Sequence, residues 1–126
     1  MRRLGLWFLL LLAARAQPVA TLARIEADPG AFFGREVVLV GYAWPWFRPA
    51  PLACRDRPLA RGNAAKTRSD GNFCDGTRVA FLPAGVGPRS FCRRAIQLVV
   101  RIEPAPGGGW WLIPLRVRPE CAPAKG

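Results

Sequence analysis

The sequence predicts a small all-β domain with a short helix at its start. Runs rich in β-branched and aromatic residues occupy 36–46, 78–83, 95–103 and 110–118, as is typical of strands. Turn-forming residues separate these runs, including an Asp-Gly pair at 75–76. The chain shows no internal repeat and no heptad pattern. These observations favour one domain in which most residues belong to strands.

The first sixteen residues have the layout of a secretory signal peptide. Two arginines follow Met1, an almost unbroken apolar run extends from Leu4 to Ala14, and Ala14 and Ala16 are the small residues of a cleavage site. The apolar run spans roughly 16 Å as a helix, too short for a hydrocarbon layer of about 30 Å.

We therefore expect an exported protein, periplasmic or extracellular, that is cleaved near Ala16. Residues 17–121 would form the domain and 122–126 a flexible tail. No second apolar run of spanning length follows, so no transmembrane segment is expected in the mature chain. Lipoprotein anchoring is disfavoured because the first cysteine is Cys54; an uncleaved leader would instead act as a short anchor.

The domain is expected to begin with a helix and a long strand. Thr21 or Ala20 can start the helix, and apolar residues at helical spacing within 22–33 give it one apolar face. The run 36–46 (EVVLVGYAWPW) is apolar on both faces, which predicts a strand that is covered on both sides along much of its length. Gly41 in its middle predicts a bulge or sharp bend, as a barrel requires.

A long connection and a short strand come next. Residues 45–72 contain four prolines and then a polar, basic stretch. A segment of this length without clear structure predicts either a functional or a mobile loop. The run 78–83 is a short strand with Val79 and Phe81 on one face, and 84–94 is a connection interrupted by glycine and proline.

The last two strands form a hairpin around 104–109. In 95–103 the residues expected to face inward are Ile96, Leu98, Val100 and Ile102. In 110–118 they are Trp111, Ile113, Leu115 and Val117. Pro114 has no amide hydrogen to donate, so it predicts an edge or a bulge in that strand.

Four cysteines follow the leader, at positions 54, 74, 92 and 121. An even number of cysteines in a short exported chain indicates disulfides. A zinc site needs clustered ligands, whereas the closest cysteines, Cys74 and Cys92, are 18 residues apart and the chain has no histidine. We expect neither a metal nor another cofactor.

The charge of the chain has two interpretations. The net charge is +11, and loss of the three leader arginines leaves 16 basic and 8 acidic residues, or +8. Such an excess favours a polyanionic partner: nucleic acid, an anionic membrane surface or an acidic polymer. Alternatively, it reflects a GC-rich genome, because 17 of the 19 basic residues are arginine and alanine, glycine, proline and leucine are abundant.

The order of the predicted elements resembles that of an OB-fold. The run 28–43 (DPGAFFGREVVLVGYA) resembles the opening strand of bacterial OB-fold proteins, including exported and anticodon-binding ones, where a G-[KR]-x-V-x-[LV]-x-G-x-[VA] segment enters the barrel. The match is good over 20–45 and loose over 73–118. Two departures are the absence of a convincing helix in 84–94 and the long first loop that carries Cys54.

The resemblance implies a five-stranded barrel and a disulfide pairing. In an OB-fold the third and fifth strands run parallel, so Cys92 and Cys121, which follow them, would lie at the same end. Cys54 and Cys74 flank the long first loop. The implied pairs are therefore Cys54–Cys74 and Cys92–Cys121.

The chain lacks the usual groups of an enzyme. Without histidine it has no Ser-His dyad, and it contains neither a G-x-S-x-G elbow nor a phosphate loop. Among the scattered acidic residues, Asp70 and Asp75 are the closest plausible catalytic pair, but both occur where aspartate normally forms a turn. We expect a protein that binds without catalysing a reaction.

The resemblance also implies a ligand-binding region, because OB-folds bind on the second and third strands between two loops. The candidate residues are Tyr42, Trp44, Trp46, Lys66, Arg68, Phe73, Arg78 and Trp110, with Phe47 in the same region. Aromatic rings beside cations suit stacked bases or sugars with phosphate or carboxylate groups. Alternatively, the tryptophans cap a small barrel and the basic side chains are solvated.

Two functions follow from these expectations. One is an exported binding module for an oligomeric or anionic partner, such as single-stranded nucleic acid or an envelope glycan. The other is a structural or accessory protein that docks on an envelope protein through its aromatic loop.

Overall fold

The computed structural model describes residues 17–64, 69–83 and 94–118. The predicted signal peptide, the tail 122–126 and the predicted Cys92–Cys121 disulfide lie outside these residues. The helical elements are α1 (Leu22–Ala27) and two 3-10 turns, Pro29–Phe32 and Leu52–Cys54. The strands are β1 (Glu36–Pro45), β2 (Ser69–Cys74), β3 (Val79–Pro83), β4 (Ile96–Pro104) and β5 (Trp110–Arg118).

The five strands form one curled antiparallel sheet, a half-barrel, in the order β3-β2-β1-β4-β5. β1 belongs to both halves of this sheet. Residues 36–41 of β1 pair with β4, and residues 42–45 pair with β2. The predicted all-β class with a short helix is confirmed.

Gly41 marks the point where β1 changes its partner. A Cβ at this position would overlap the carbonyl oxygen of Cys74 and lie 2.8 Å from Cα of Asp75. Only glycine lets the end of β2 approach β1 so closely. The unusual mid-strand glycine is thus explained by contact between two backbones.

Helix α1 starts where the sequence predicts. Thr21 is its N-cap, and the Thr21 hydroxyl accepts a 3.2 Å hydrogen bond from the Arg24 amide. Leu22 and Ile25 are fully buried in the core. The helix is shorter than its apolar spacing suggests, because a proline begins a separate 3-10 turn at Pro29–Phe32.

The prediction that β1 is covered on both faces is only partly correct. Val37, Leu39 and Ala43 are buried in the main core. On the other face Trp44 is buried, whereas the Val40 side chain is 44% exposed. Nothing that the structure describes covers that face fully around Val40.

The four β4 residues predicted to face inward are buried, and Val99 between them is buried as well. By contrast, β5 is partly out of phase with its prediction. Trp110 and Leu112 are buried in the core, whereas Leu115 is 37% exposed. The register of β4 and β5 shifts at Val100, which pairs with Pro114. Leu115 is the extra residue of this irregularity, so the inward face changes there, as the proline suggested.

The long connection is shorter than the sequence predicts. β2 already begins at Ser69, inside the segment expected to lack structure. Cys54 forms the predicted disulfide with Cys74, with 5.9 Å between their Cα atoms. Trp44 and Val79 pack with the two cysteines in a second buried cluster. This cluster lies on the outer face of the sheet, on the side opposite the main core. The loop is therefore attached to the outer surface of β1, β2 and β3.

The end of this loop connects β3 to β5. We call residues 58–64 the closing segment. On one side Val79 donates to the Pro58 carbonyl at 2.9 Å, and the Asn63 side chain accepts from the Phe81 amide at 2.8 Å. On the other side the backbone amide of Trp110 donates to the Gly62 carbonyl at 2.8 Å. Within the described residues no ladder joins β3 to β5, so this segment fills the gap between them.

Candidate ligand-binding site

Among the residues that the structure describes, the most exposed aromatic side chains lie directly after β1. Trp46 is 62% and Phe47 is 65% exposed, and their rings are perpendicular with centroids 5.7 Å apart. The Arg48 amide donates to the Pro45 carbonyl at 3.0 Å, so a tight turn presents both rings to solvent. We call residues 46–57 the aromatic loop.

The aromatic loop is anchored close to its exposed rings. Cys54 is 2% exposed and is bonded to Cys74 at the end of β2. Ala50 packs against the same buried cluster. A covalent bond and a buried cluster therefore anchor the backbone of the loop at Cys54 and Ala50, close in sequence to the exposed rings.

Three exposed arginines belong to the same loop as the rings. They are Arg48, Arg55 and Arg57. The Nε of Arg55 donates to the Ala50 carbonyl at 3.3 Å, which holds that guanidinium against the loop. None of the three forms an ion pair with a residue that the structure describes. They are available to bind an anion.

The structure distributes the predicted site residues over different environments. Of the aromatic ones, Trp46 is on the surface, Tyr42 is half-buried and Trp44 is 8% exposed. Phe73 and Trp110 have no exposed surface and belong to the main core. Their assignment to a ligand surface does not fit this placement, because a core side chain contacts no ligand.

Trp110 also has a structural partner for its indole. Its Nε1 donates to the Arg61 carbonyl at 3.0 Å, which satisfies the only polar atom of the ring. The alternative interpretation, in which tryptophan caps a small barrel, describes this residue well. Lys66 and Arg68 lie outside the described residues.

Arg78 is engaged with a carboxylate. Its Nε lies 2.8 Å from Glu26 Oε1, and the other oxygen of Glu26 accepts from the Arg61 amide at 2.7 Å. The backbone hydrogen bond from Arg61, together with the Arg78 guanidinium, holds the pKa of Glu26 below its ordinary value. Arg78 thus ties α1 to the start of β3, and its guanidinium is not free for a ligand.

Asp75 has the turn role that its position suggests. One carboxylate oxygen accepts from the Thr77 amide at 2.9 Å, and the other accepts from the Leu22 amide at 2.7 Å. The second bond satisfies a donor in the first turn of α1. Asp75 therefore joins the helix to the β2–β3 turn, and its oxygens are occupied by structural hydrogen bonds.

Sequence reasoning missed Arg48, Arg55 and Arg57. Each lies beside a proline or an aspartate in a segment without periodicity, so no pattern separates them from ordinary solvated arginines. The only available signal was the adjacency of Arg48 to Trp46 and Phe47.

Within the described ranges, no cluster of three or more metal-ligating side chains is present. No helix among those residues is long and apolar enough to span a membrane. Comparisons with protein-family models, curated proteins and solved structures found no match to this chain.

Proposed function

We propose that this protein is an exported, non-catalytic module that binds single-stranded nucleic acid on its aromatic loop. One observation carries the proposal: an exposed tryptophan and three exposed arginines belong to one short loop that a disulfide anchors. Stacking of one base on an aromatic ring contributes about 1–3 kcal/mol and tolerates any sequence. Guanidinium groups on the same loop can each hold two phosphate oxygens.

The proposed architecture is an OB-fold-like barrel. The sheet order, with β1 shared between β2 and β4, supports it. In such a fold the ligand surface is the outer face of the second and third strands. Here Cys54 and the aromatic loop pack on that face and cover it. We therefore assign the ligand surface to the exposed residues of the aromatic loop in place of the strands.

Export belongs to the same proposal. The leader-like residues 1–16 predict it, and the Cys54–Cys74 disulfide supports an oxidising compartment. The Cys92–Cys121 disulfide remains part of the proposal.

Nucleic acid is favoured over an acidic glycan by the character of the cations. All three are arginines, whose planar fork matches phosphate and whose plane also stacks on aromatic rings. An acidic polysaccharide is therefore the alternative ligand that the test must distinguish from nucleic acid. Docking on an envelope protein is the other competitor, because Leu52 in the same loop is 78% exposed.

The test measures binding of a fluorescent oligothymidylate by the mature protein at several salt concentrations. Three phosphate contacts predict a slope of log K against log salt near −2, since each contact on a single strand contributes about −0.7. Arg48→Ala should reduce the slope by about 0.7, whereas Arg35→Ala, an exposed arginine before β1, should leave it unchanged.

Trp46→Ala should weaken binding about tenfold or more, as expected for one lost stacked base. Val19→Ala, which changes another exposed apolar residue, is its matched control. Absence of binding at low salt would refute the proposal. Binding of an acidic polysaccharide in place of DNA, or salt-independent binding of a protein partner, would refute the assignment to nucleic acid.

A further inference from the structure

A second exposed region lies on the same outer face of β1 as the aromatic loop. Alternate residues of a strand point to the same side, so Val40, Tyr42 and Trp44 share one face that leads toward Trp46. Trp44 is covered by the loop, Tyr42 is half-buried and Val40 is 44% exposed. This face therefore reappears at the surface near the middle of the sheet.

The pairing of the strands places cations beside Val40. Val40 is opposite Gln97 of β4, and Gln97 is opposite Arg118 of β5. Two residues further along β4, Val99 is opposite Arg116. Neighbouring strands are about 4.8 Å apart, so these arginines are two strands, or roughly 10 Å, from the β1 backbone.

These residues border an open groove. It has a volume of about 420 Å³ and is lined by Val40, Ala95, Ile96, Gln97 and Arg118. Its floor is apolar, one amide and one guanidinium lie at its side, and the exposed Arg116 is nearby. No acidic residue that the structure describes forms an ion pair with Arg116 or Arg118.

We propose that this groove is a second subsite for the strand that the aromatic loop binds. The inference rests on the proposed function and extends it, because it makes the ligand an extended chain that occupies both places. The apolar floor suits the face of a base, the Gln97 amide can bond to a base edge, and Arg118 with Arg116 suits a phosphate.

The spacing of the two places sets the length of the ligand. Val40 and Trp46 are six residues apart, which corresponds to at most about 20 Å along a strand. At a stacked rise of about 3.4 Å per nucleotide this distance equals roughly six nucleotides. A trinucleotide can then occupy the aromatic loop alone, whereas a dodecamer reaches the groove.

The experiment compares a labelled trithymidylate with a labelled dodecathymidylate on the mature protein. The wild-type protein should bind the dodecamer more tightly than the trinucleotide. The gain in affinity should exceed the statistical factor that arises because a longer strand offers more equivalent positions to a single site. Arg118→Glu should weaken dodecamer binding about tenfold, as expected for a lost charged contact, and leave trinucleotide binding nearly unchanged.

The matched control is Arg35→Glu, which changes the net charge equally. The backbone carbonyl of Arg35 accepts a hydrogen bond from the Ile102 amide. Ile102 lies near the opposite end of β4 from Gln97, the residue that pairs with Arg118 of β5. Gln97→Glu introduces a negative charge in the same groove and serves if Arg118→Glu does not fold. Thermal unfolding of each variant verifies folding.

The outcomes separate this inference from the proposed function. If neither oligonucleotide binds, the proposed function fails and the second subsite fails with it. Suppose instead that the wild type binds both oligonucleotides. If Arg118→Glu and Gln97→Glu then weaken binding of the trinucleotide and the dodecamer equally, or weaken binding of neither, only the second subsite is refuted.

Discussion

Replacing Gly109 by alanine tests whether the closing segment joins β5 to the rest of the barrel. A Cβ on Gly109 would overlap the carbonyl oxygen of Gly62, the atom that accepts the Trp110 amide at 2.8 Å. The substitution must therefore move the closing segment away from β5. It leaves every buried side chain of the core unchanged.

Gly107 provides a matched control in the same turn. Its φ is +83° and that of Gly109 is +82°, so alanine suffers a similar backbone penalty, about 1–2 kcal/mol, at either position. A Cβ on Gly107 would have no atom within 4 Å, unlike one on Gly109. The difference between the two variants therefore isolates the contact with the closing segment.

The expected difference follows from the hydrogen bond that is lost. A buried amide left without its acceptor costs about 1–3 kcal/mol. Gly107→Ala should lower the free energy of unfolding by about 1–2 kcal/mol, and Gly109→Ala by about 2–5 kcal/mol when both effects are included.

Urea unfolding followed by tryptophan fluorescence measures this difference. With a denaturant slope of about 1–3 kcal/mol per molar, a gap of 2 kcal/mol separates the midpoints by roughly 1 M. Equal midpoints for the two variants would refute the reasoning, since the closing segment would then contribute nothing measurable to the attachment of β5.

Three further perturbations have defined outcomes. Glu26→Gln should destabilise the protein at neutral pH and approach the wild-type stability as the pH falls through the lowered pKa of Glu26, because a carboxylate with a lowered pKa stabilises the fold only while ionised. Urea titrations across pH measure this, and a pH-independent difference would contradict the role of that pKa. The variant Cys54→Ala/Cys74→Ala should lose about 3 kcal/mol for its loop of 20 residues. Its melting temperature, measured by circular dichroism, should fall by roughly 10–15 °C, and an unchanged value would contradict the anchoring of the aromatic loop. Gly41→Ala should cost more than about 3 kcal/mol, because the Cβ meets backbone rather than a movable side chain; a chemical denaturation midpoint equal to that of the wild type would contradict the close approach of the strands.

The parts of the fold that could be predicted from sequence depend on local pattern. The apolar alternation of β4 identifies its buried face, and Thr21 marks the start of α1, because each signal lies within a few residues of the element it specifies. The phase of β5 could not be read in this way. A single extra residue beside Pro114 reverses the inward face, and its position depends on the register with β4.

The candidate site was harder to predict because burial separates residues of the same type. Trp46 and Trp110 have similar neighbours in the sequence, with proline or glycine and a second aromatic residue nearby. Trp110 is buried only because the closing segment folds over the start of β5, a contact between residues nearly fifty positions apart. No local pattern contains that information.

The long connection shows how one segment can serve both stability and binding. The aromatic loop covers the outer face of β1–β3 with Cys54, and the closing segment then joins β3 to β5. Covering that face removes it as a ligand surface, but the same disulfide anchors the loop that carries Trp46, Phe47 and the three exposed arginines. If the aromatic loop binds a nucleic acid strand, its affinity must therefore depend on the disulfide, even though neither cysteine contacts the ligand. In the variant Cys54→Ala/Cys74→Ala, binding affinity should accordingly fall by more than the unfolded fraction of the variant explains. The reason is that a loosened loop must be ordered in each binding event, which costs free energy.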